Sequence, residues 1–168
     1  LADRARAIPG LTSIGFSDSP PFSGGSSNGT YIVLSSAATV TFKDLEPLWR
    51  DKNRTGSANY RMASEGYFAA LNIPLLDGRL FAVSDGPRAP HVAVVNSALA
   101  KSQWPNESAI GKVIEFGNMD DDSTPITIVG IVGDTREQDL ALAPQPTVYV
   151  NYRQRTGNSQ DTYVVMST

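Results

Sequence analysis

The chain has 168 residues, 40% hydrophobic and 18% charged, a globular composition long enough to remove roughly 70% of the unfolded surface from water. A formal net charge of −3, with acidic and basic residues interspersed, excludes the basic footprint of a nucleic-acid binder. With no cysteine there is no disulfide framework, no thiol nucleophile and no cysteine-held zinc or iron–sulfur site.

LADRARAI opens the chain with Leu1, Ala5 and Ile8 at helical spacing, and Pro9-Gly10 stops that helix. LTSIGF (11–16) is the first strand expected. SDSPPFSGGSSNGT (17–30) concentrates Ser, Gly and Pro and reads as a surface loop before the strand TYIVL. KDLEPLWRD (43–51) allows a short helix, since Pro47 is tolerated only near a helix start, and DKNRTGSAN (51–59) reads as another loop. Ser64 is placed to cap a helix from Glu65 to about Asn72 whose apolar face is Tyr67, Phe68 and Leu71, and Pro74 ends it. HVAVVN (91–96) is a short Val-rich run expected to be a strand buried on both faces, and Asn96 caps the helix SALAKSQW, which Pro105 terminates. KVIEF, PITIVGIV, TVYVNY and TYVVMS follow as strands. The pattern predicts an α+β fold with mixed sheets rather than a regular doubly wound one, and a core containing Phe68, Leu71, Val94, Leu99, Trp104, Val129 and Ile131. The longest apolar run, TIVGIV (127–132), falls far short of the ~20 residues of a membrane helix. Because the chain starts inside one expected element and stops inside another, both ends are expected to be cuts from a longer protein, so the lack of a signal peptide carries no information.

The usual chemical motifs fail on context. Gly25-Ser26-Ser27-Asn28-Gly29 matches the G-x-S-x-G nucleophile elbow in letters, but a loop precedes Ser27 and a strand follows it, the reverse of the strand–turn–helix an elbow requires. His91, the single histidine, is expected at the solvated start of a strand, and two-histidine zinc motifs are impossible. Asp120, Asp121 and Asp122 fit neither EF-hand register, since Ser123 or Pro125 stands where Gly is needed; a solvated hairpin loop is expected instead. Gly111-Lys112 lacks both flanks of a Walker A loop, and Gly130 and Gly133 lack the third glycine of a dinucleotide fingerprint. Asn28, Asn53 and Asn106 begin N-x-[ST] triplets, which matter only in a eukaryotic secretory setting.

Several segments occur together and in order: YRMASEGYF (60–68) with Gly66, Tyr67 and Phe68; IPLLDGRLF (73–81) with Pro74, Gly78 and Arg79; VAVVN (92–96) ending on Asn96, with ALA (98–100); Trp104-Pro105; IGK around Gly111; IVGIVGD (128–134) with Gly130, Gly133 and Asp134; and PTVYV (146–150). Through them the sequence resembles the periplasmic core domain of MacB/FtsX-type ABC transporter permeases over nearly its whole length, with Pro9-Gly10 and the loop 21–25 also fitting. Glu65 stands where that family commonly has Pro, and Ser97 where it commonly has Glu. The resemblance implies no catalytic, cofactor or metal site in this segment. It implies a non-enzymatic extracytoplasmic domain of a bacterial inner-membrane permease, one transmembrane helix before it and three after, and a cytoplasmic ATPase fused or separate. The parent is expected to be a homodimer, the fragment a monomer, and a membrane-fusion adaptor is a possible partner. It also implies two α+β subdomains, a βαβ-rich Porter-like part at 1–73 and 144–168 interrupted by a β-rich Sabre-like part at 74–143. On this reading the 67–81 stretch is the junction between them, with Arg79 holding the turn through a carbonyl or a carboxylate. Rival readings are a periplasmic module that captures a peptide, lipoprotein or small hydrophobic substrate, and, far behind, a serine hydrolase using Ser27 and His91.

Overall fold

A computed structural model describes residues 10–19, 27–38, 40–117, 119–135, 143–155 and 162–168. The helix expected at 1–8 and the loop at 21–25 lie outside these residues. Among the described residues the strands are β1 (Ser13–Ser17), β2 (Asn28–Leu34), β3 (Thr55–Ala63), β4 (Leu75–Gly78), β5 (Val92–Asn96), β6 (Val113–Glu115), β7 (Ile126–Val132), β8 (Thr147–Asn151) and β9 (Tyr163–Ser167). The helices are short: α1 (Phe42–Leu45), α2 (Tyr67–Ala70) and α3 (Ser97–Gln103), with a 3-10 turn at Leu48–Arg50. No helix among the described residues is long and apolar enough to cross a membrane.

All nine strands belong to one mixed sheet. Six of them pair in a closed ring, β2–β6–β7–β5–β8–β3 and back to β2, so none of these six is an edge along its whole length. Alternating side chains fill the ring: Tyr31, Ala58, Tyr60, Ala93, Val95, Ile114, Ile126, Ile128, Val148 and Val150 point into one buried cluster, sealed by Phe116 and by Leu99, Ala100 and Trp104 of the α3 region. Residues of opposite parity face outward, where α2 covers Val94 and Tyr149 with Tyr67 and Phe68, and α1 covers Ile32, Leu34 and Val113 with Leu45. That is why β5 and β8 are buried along both faces, as the unbroken run VAVVN predicts.

β1 and β9 form an antiparallel ribbon outside the ring, in register from Ser13↔Ser167 to Ser17↔Tyr163, and join it through the Ser17↔Ala63 pair of β1 with β3. The amide of Thr12 donates to the Ser167 carbonyl at 2.9 Å, so the two ends of the described chain lie side by side.

The sequence missed two strands. TGSANYRMA, read as loop as far as Asn59, is the nine-residue β3, paired on its two edges with β2 and β8. Its small residues disguise it; a Cβ on Gly56 would sit 2.2 Å from the Tyr31 hydroxyl, so Tyr31 would have to shift to admit one. β4, to which the sequence pattern assigns no element, pairs with β7 as far as Gly78, where the turn at Gly78-Arg79 is expected. The helix expected from Glu65 starts later, and Ser64 does not cap it; the Ser64 hydroxyl instead accepts from the Phe16 amide at 2.8 Å. Phe68, Val94, Leu99 and Trp104 are buried as expected, but Leu71, Val129 and Ile131 are half-buried. Along β7 the even positions are buried and the odd ones half-buried, so Val129 and Ile131 take the less covered places. Ala93 pairs with Ile128 and Val94 with Gly130, which leaves Val129 as the extra residue of a bulge.

The fold is sheet-rich and mixed α/β. The strand ladders do not divide at residues 74 and 144: β5–β8 and β2–β6 both cross that line, because the ring needs strands from both sides of it to close.

Candidate functional site

The 67–81 stretch lies on the outer face of the ring, where Tyr67, Phe68, Ile73 and Phe81 join the cluster around Val94 and Tyr149. α2 begins at Gly66, where a Cβ would fall 1.9 Å from the Ile14 carbonyl oxygen, so the ribbon and the start of α2 approach at backbone distance. Phe68 then packs on Tyr67, Phe81 and Tyr149, with ring centroids 5.5, 5.9 and 5.1 Å away. α2 therefore touches the ribbon on one side and the ring on the other. Pro74 follows, and its carbonyl accepts from the Gly133 amide at 2.8 Å.

Gly78 has a φ of +73°, a conformation that costs a side chain energy, and a Cβ there would also lie 2.2 Å from the Val129 carbonyl oxygen. A Cβ on its partner Gly130 would lie as close to the Arg79 carbonyl oxygen, at 2.1 Å. The Arg79 guanidinium grips Asp85 with two bonds of 2.7 and 2.9 Å, and the same carboxylate accepts from the Ala82 amide at 2.9 Å. These contacts, the Arg79 bonds first, hold the Asp85 carboxyl below its usual pKa. Asp85 is the carboxylate the sequence left unnamed; the Asn151 amide reaches its carbonyl at 3.2 Å and ties this turn to β8.

Asn96 does two jobs. Its Oδ1 caps α3 by accepting from the Leu99 amide at 3.1 Å and also accepts from the Thr147 amide at 2.9 Å, while its Nδ2 donates to the Gln145 carbonyl at 2.8 Å. Asp134 adds a second acceptor to the first turn of α3, taking the Ala98 amide at 2.7 Å. Trp104 closes α3 and is buried, whereas Pro105 beyond it is exposed. Gly111 takes a φ of +82° and donates its amide to the Ile128 carbonyl at 2.8 Å.

A second constellation was not legible in the sequence. Arg155, with a side chain 1% exposed, donates from Nη1 to both oxygens of Asp120 at 3.0 and 3.2 Å and to the Asp122 carbonyl, and from Nη2 to the Thr124 carbonyl. Tyr60 donates its hydroxyl to the same Asp120 carboxylate. The loop between β6 and β7 is exposed at Asp121, Ser123 and Thr124, as its acidic run suggests, but Asp120 is buried and carries an ion pair. His91 lies only 13% exposed beside Asp122, not at a solvated strand start, and burial followed by the Arg155 charge pushes its pKa down. Ser27 is exposed, and its carbonyl accepts from the Tyr60 amide at 2.7 Å; no hydrogen bond joins its hydroxyl to His91. Among the described residues no group of His, Asp or Glu is arranged to hold a metal ion.

A cleft of about 420 Å³ opens beside the ribbon, floored by Ile14, Phe16 and Ala69 and walled by Tyr152. Arg153 and Glu65 pair across its rim at 2.8 Å.

Residues 14–168 match the family model described as MacB-like periplasmic core domain. A probable export ATP-binding/permease protein MacB of Pseudomonas entomophila (strain L48) is 30% identical over 90 residues, which is 53% of this chain and 13% of that protein. The periplasmic region of MacB from Actinobacillus actinomycetemcomitans superposes with a TM-score of 0.61 at 20% identity, covering 99% of this chain and 63% of that one. The extracellular domain of the noncanonic ABC-type transporter YknZ from Gram-positive bacteria gives 0.57 at 15% identity, covering 99% and 70%. The chain spans about an eighth of the curated relative it matches.

Proposed function

Because the chain belongs to the MacB-like periplasmic core domain family, we propose that this extracytoplasmic domain of an ABC-type permease carries motion from membrane helices to the rest of the transporter. Those helices flank it in the parent protein, and a cytoplasmic ATPase, fused or separate, supplies the energy. The parent works as a homodimer, associated mainly through parts outside this chain, and a membrane-fusion adaptor is a further partner.

The observation that carries this reading is the pairing of the two ends of the described chain at Thr12 and Ser167. A displacement of helices joined there would swing β1 and β9 as one ribbon, pivoting on the ring at the Ser17↔Ala63 pair. The ribbon meets the ring through the Ser17↔Ala63 pair and through α2, so the load would pass by Gly66, Tyr67 and Phe68 into β8 and β5. The division into a Porter-like and a Sabre-like part is best drawn on this basis, with the ribbon and α2 as the membrane-proximal part and the ring as the body it moves. The 74–143 segment supplies β4 to β7 of that body.

A direct test is a reversible lock in the full-length permease. Ser17 and Ala63 are cross-strand partners in an antiparallel pair, a spacing that accepts a disulfide. Ser17→Cys with Ala63→Cys should abolish transport when oxidised and regain it on reduction. Full-rate transport with the cross-link formed would sink the reading in favour of a passive docking role.

A second reading, capture of a small hydrophobic substrate, draws on the cleft beside the ribbon, whose volume of about 420 Å³ is in the range of ligand pockets. A hydrophobic fluorophore should then bind the domain and be expelled by Ala69→Trp; binding indifferent to that substitution would remove this reading.

A further inference from the structure

Arg155 and His91 each keep one buried nitrogen without a hydrogen-bond partner, Nε and Nδ1, and both nitrogens face the same oxygen, Asp122 Oδ2, at 3.7 and 3.9 Å. At those separations neither makes a direct hydrogen bond. The two cationic side chains come from different elements, His91 from the residue before β5 and Arg155 from the segment after β8. The carboxylate between them belongs to the turn at 119–125, which Arg155 holds by the Asp120 carboxylate and the Asp122 and Thr124 carbonyls. The charged groups acting on His91 are therefore Arg155 on one side and Asp122 and Asp120 on the other. Tyr60 stands behind Asp120, and the buried Glu115 completes the group from β6, accepting from the Gly117 amide at 2.6 Å.

The geometry points to a proton-operated latch, in which a proton taken up by His91 releases the 119–125 turn from Arg155 and so from the end of the ring. The physical reason is competition for one carboxylate. With His91 neutral, Asp122 keeps Oδ1 on the Thr124 amide at 2.9 Å and Oδ2 turned to the Arg155 guanidinium. A charged imidazole draws Asp122 towards itself and repels the guanidinium, in a buried setting where charges are weakly screened. The displaced backbone carries the Asp122 and Thr124 carbonyls away from Arg155. Burial and the Arg155 charge together outweigh the two carboxylates and depress the folded pKa of His91. The closed turn thus binds a proton less readily than an open one, and closure weakens as pH falls below the ordinary histidine value of 6.5. A domain outside the cytoplasm meets the pH of its surroundings directly.

The test compares amide protection of Gly117, Asp121, Asp122 and Thr124, corrected for intrinsic exchange, at about pH 7.5 and 5.5 in the 168-residue chain and in His91→Gln. Wild-type protection should fall on acidification, by up to roughly tenfold for each pH unit of depression in the His91 pKa, while His91→Gln stays flat. A His91→Gln protein that keeps the wild-type pH dependence overturns the latch. Should that variant not fold, the imidazole titration read by NMR in the wild-type chain decides instead. A midpoint below 6.5 that falls further in Asp122→Asn supports the latch, and a midpoint at or above 6.5, or one indifferent to Asp122→Asn, overturns it.

Discussion

Phe68→Ala tests whether α2 is the mechanical bridge described above. The Phe68 side chain is 0% exposed and lies in a cluster with Tyr67, Phe81, Val94 and Tyr149, so truncation removes the whole ring from an enclosed site. Three aromatic partners within 6 Å lose contact at once, and a four-residue helix has little propensity of its own with which to hold its place. Core truncations of this kind cost about 3–5 kcal/mol. In a domain of this size 1 kcal/mol shifts the melting temperature by roughly 2–4 °C, which predicts a fall of about 6–20 °C. Trp49→Ala is the matched control, since Trp49 is 46% exposed and its loss should stay within about 0.5 kcal/mol. Thermal unfolding followed by circular dichroism measures both. A Phe68→Ala loss under 2 °C, or one equal to that of Trp49→Ala, would refute the bridging role of α2.

Asn96→Ala should cost about 2–4 kcal/mol in urea unfolding, because it removes the α3 cap and leaves the buried Thr147 amide without its acceptor; a loss below 1 kcal/mol would mean those bonds are replaced. Arg155→Met strands the buried Asp120 carboxylate and should destabilise by about 3–5 kcal/mol, with Asp120→Asn in the same chain recovering part of the loss; strict additivity of the two changes would argue against a coupled pair. Glu115 has its pKa raised, chiefly by burial, so its charged form opposes folding once pH exceeds the unfolded value of 4.5. Glu115→Gln, which keeps the acceptor for Gly117, should therefore raise the melting temperature at about pH 7 and change it little near pH 3.5, and a scan with the opposite trend would reverse the sign.

The sequence by itself determined what local chemistry can specify. Asn96 before SALAKSQ specifies a helix start, because its side chain bonds within the first turn whatever else surrounds it. VAVVN specifies a strand buried on both faces by its unbroken apolar run, and the ordered segments from YRMASEGYF to PTVYV specify the family. What only the tertiary structure decided depends on partners far along the chain. β3 is a strand because β2 and β8 flank it, not because Gly56, Ser57 and Asn59 favour one. Val129 is only half-buried because it stands at one of the less covered alternate positions of β7, packed against the outer cluster rather than inside the ring. The ring closes across the expected boundary because β2, β3 and β8 lie on one side of it in sequence and β5, β6 and β7 on the other. Asp120 and Arg155 pair across 35 positions of sequence. Nothing local marks either residue as buried, since a charge enters a low-dielectric interior only when its counter-charge arrives with it, and that meeting is a property of the fold.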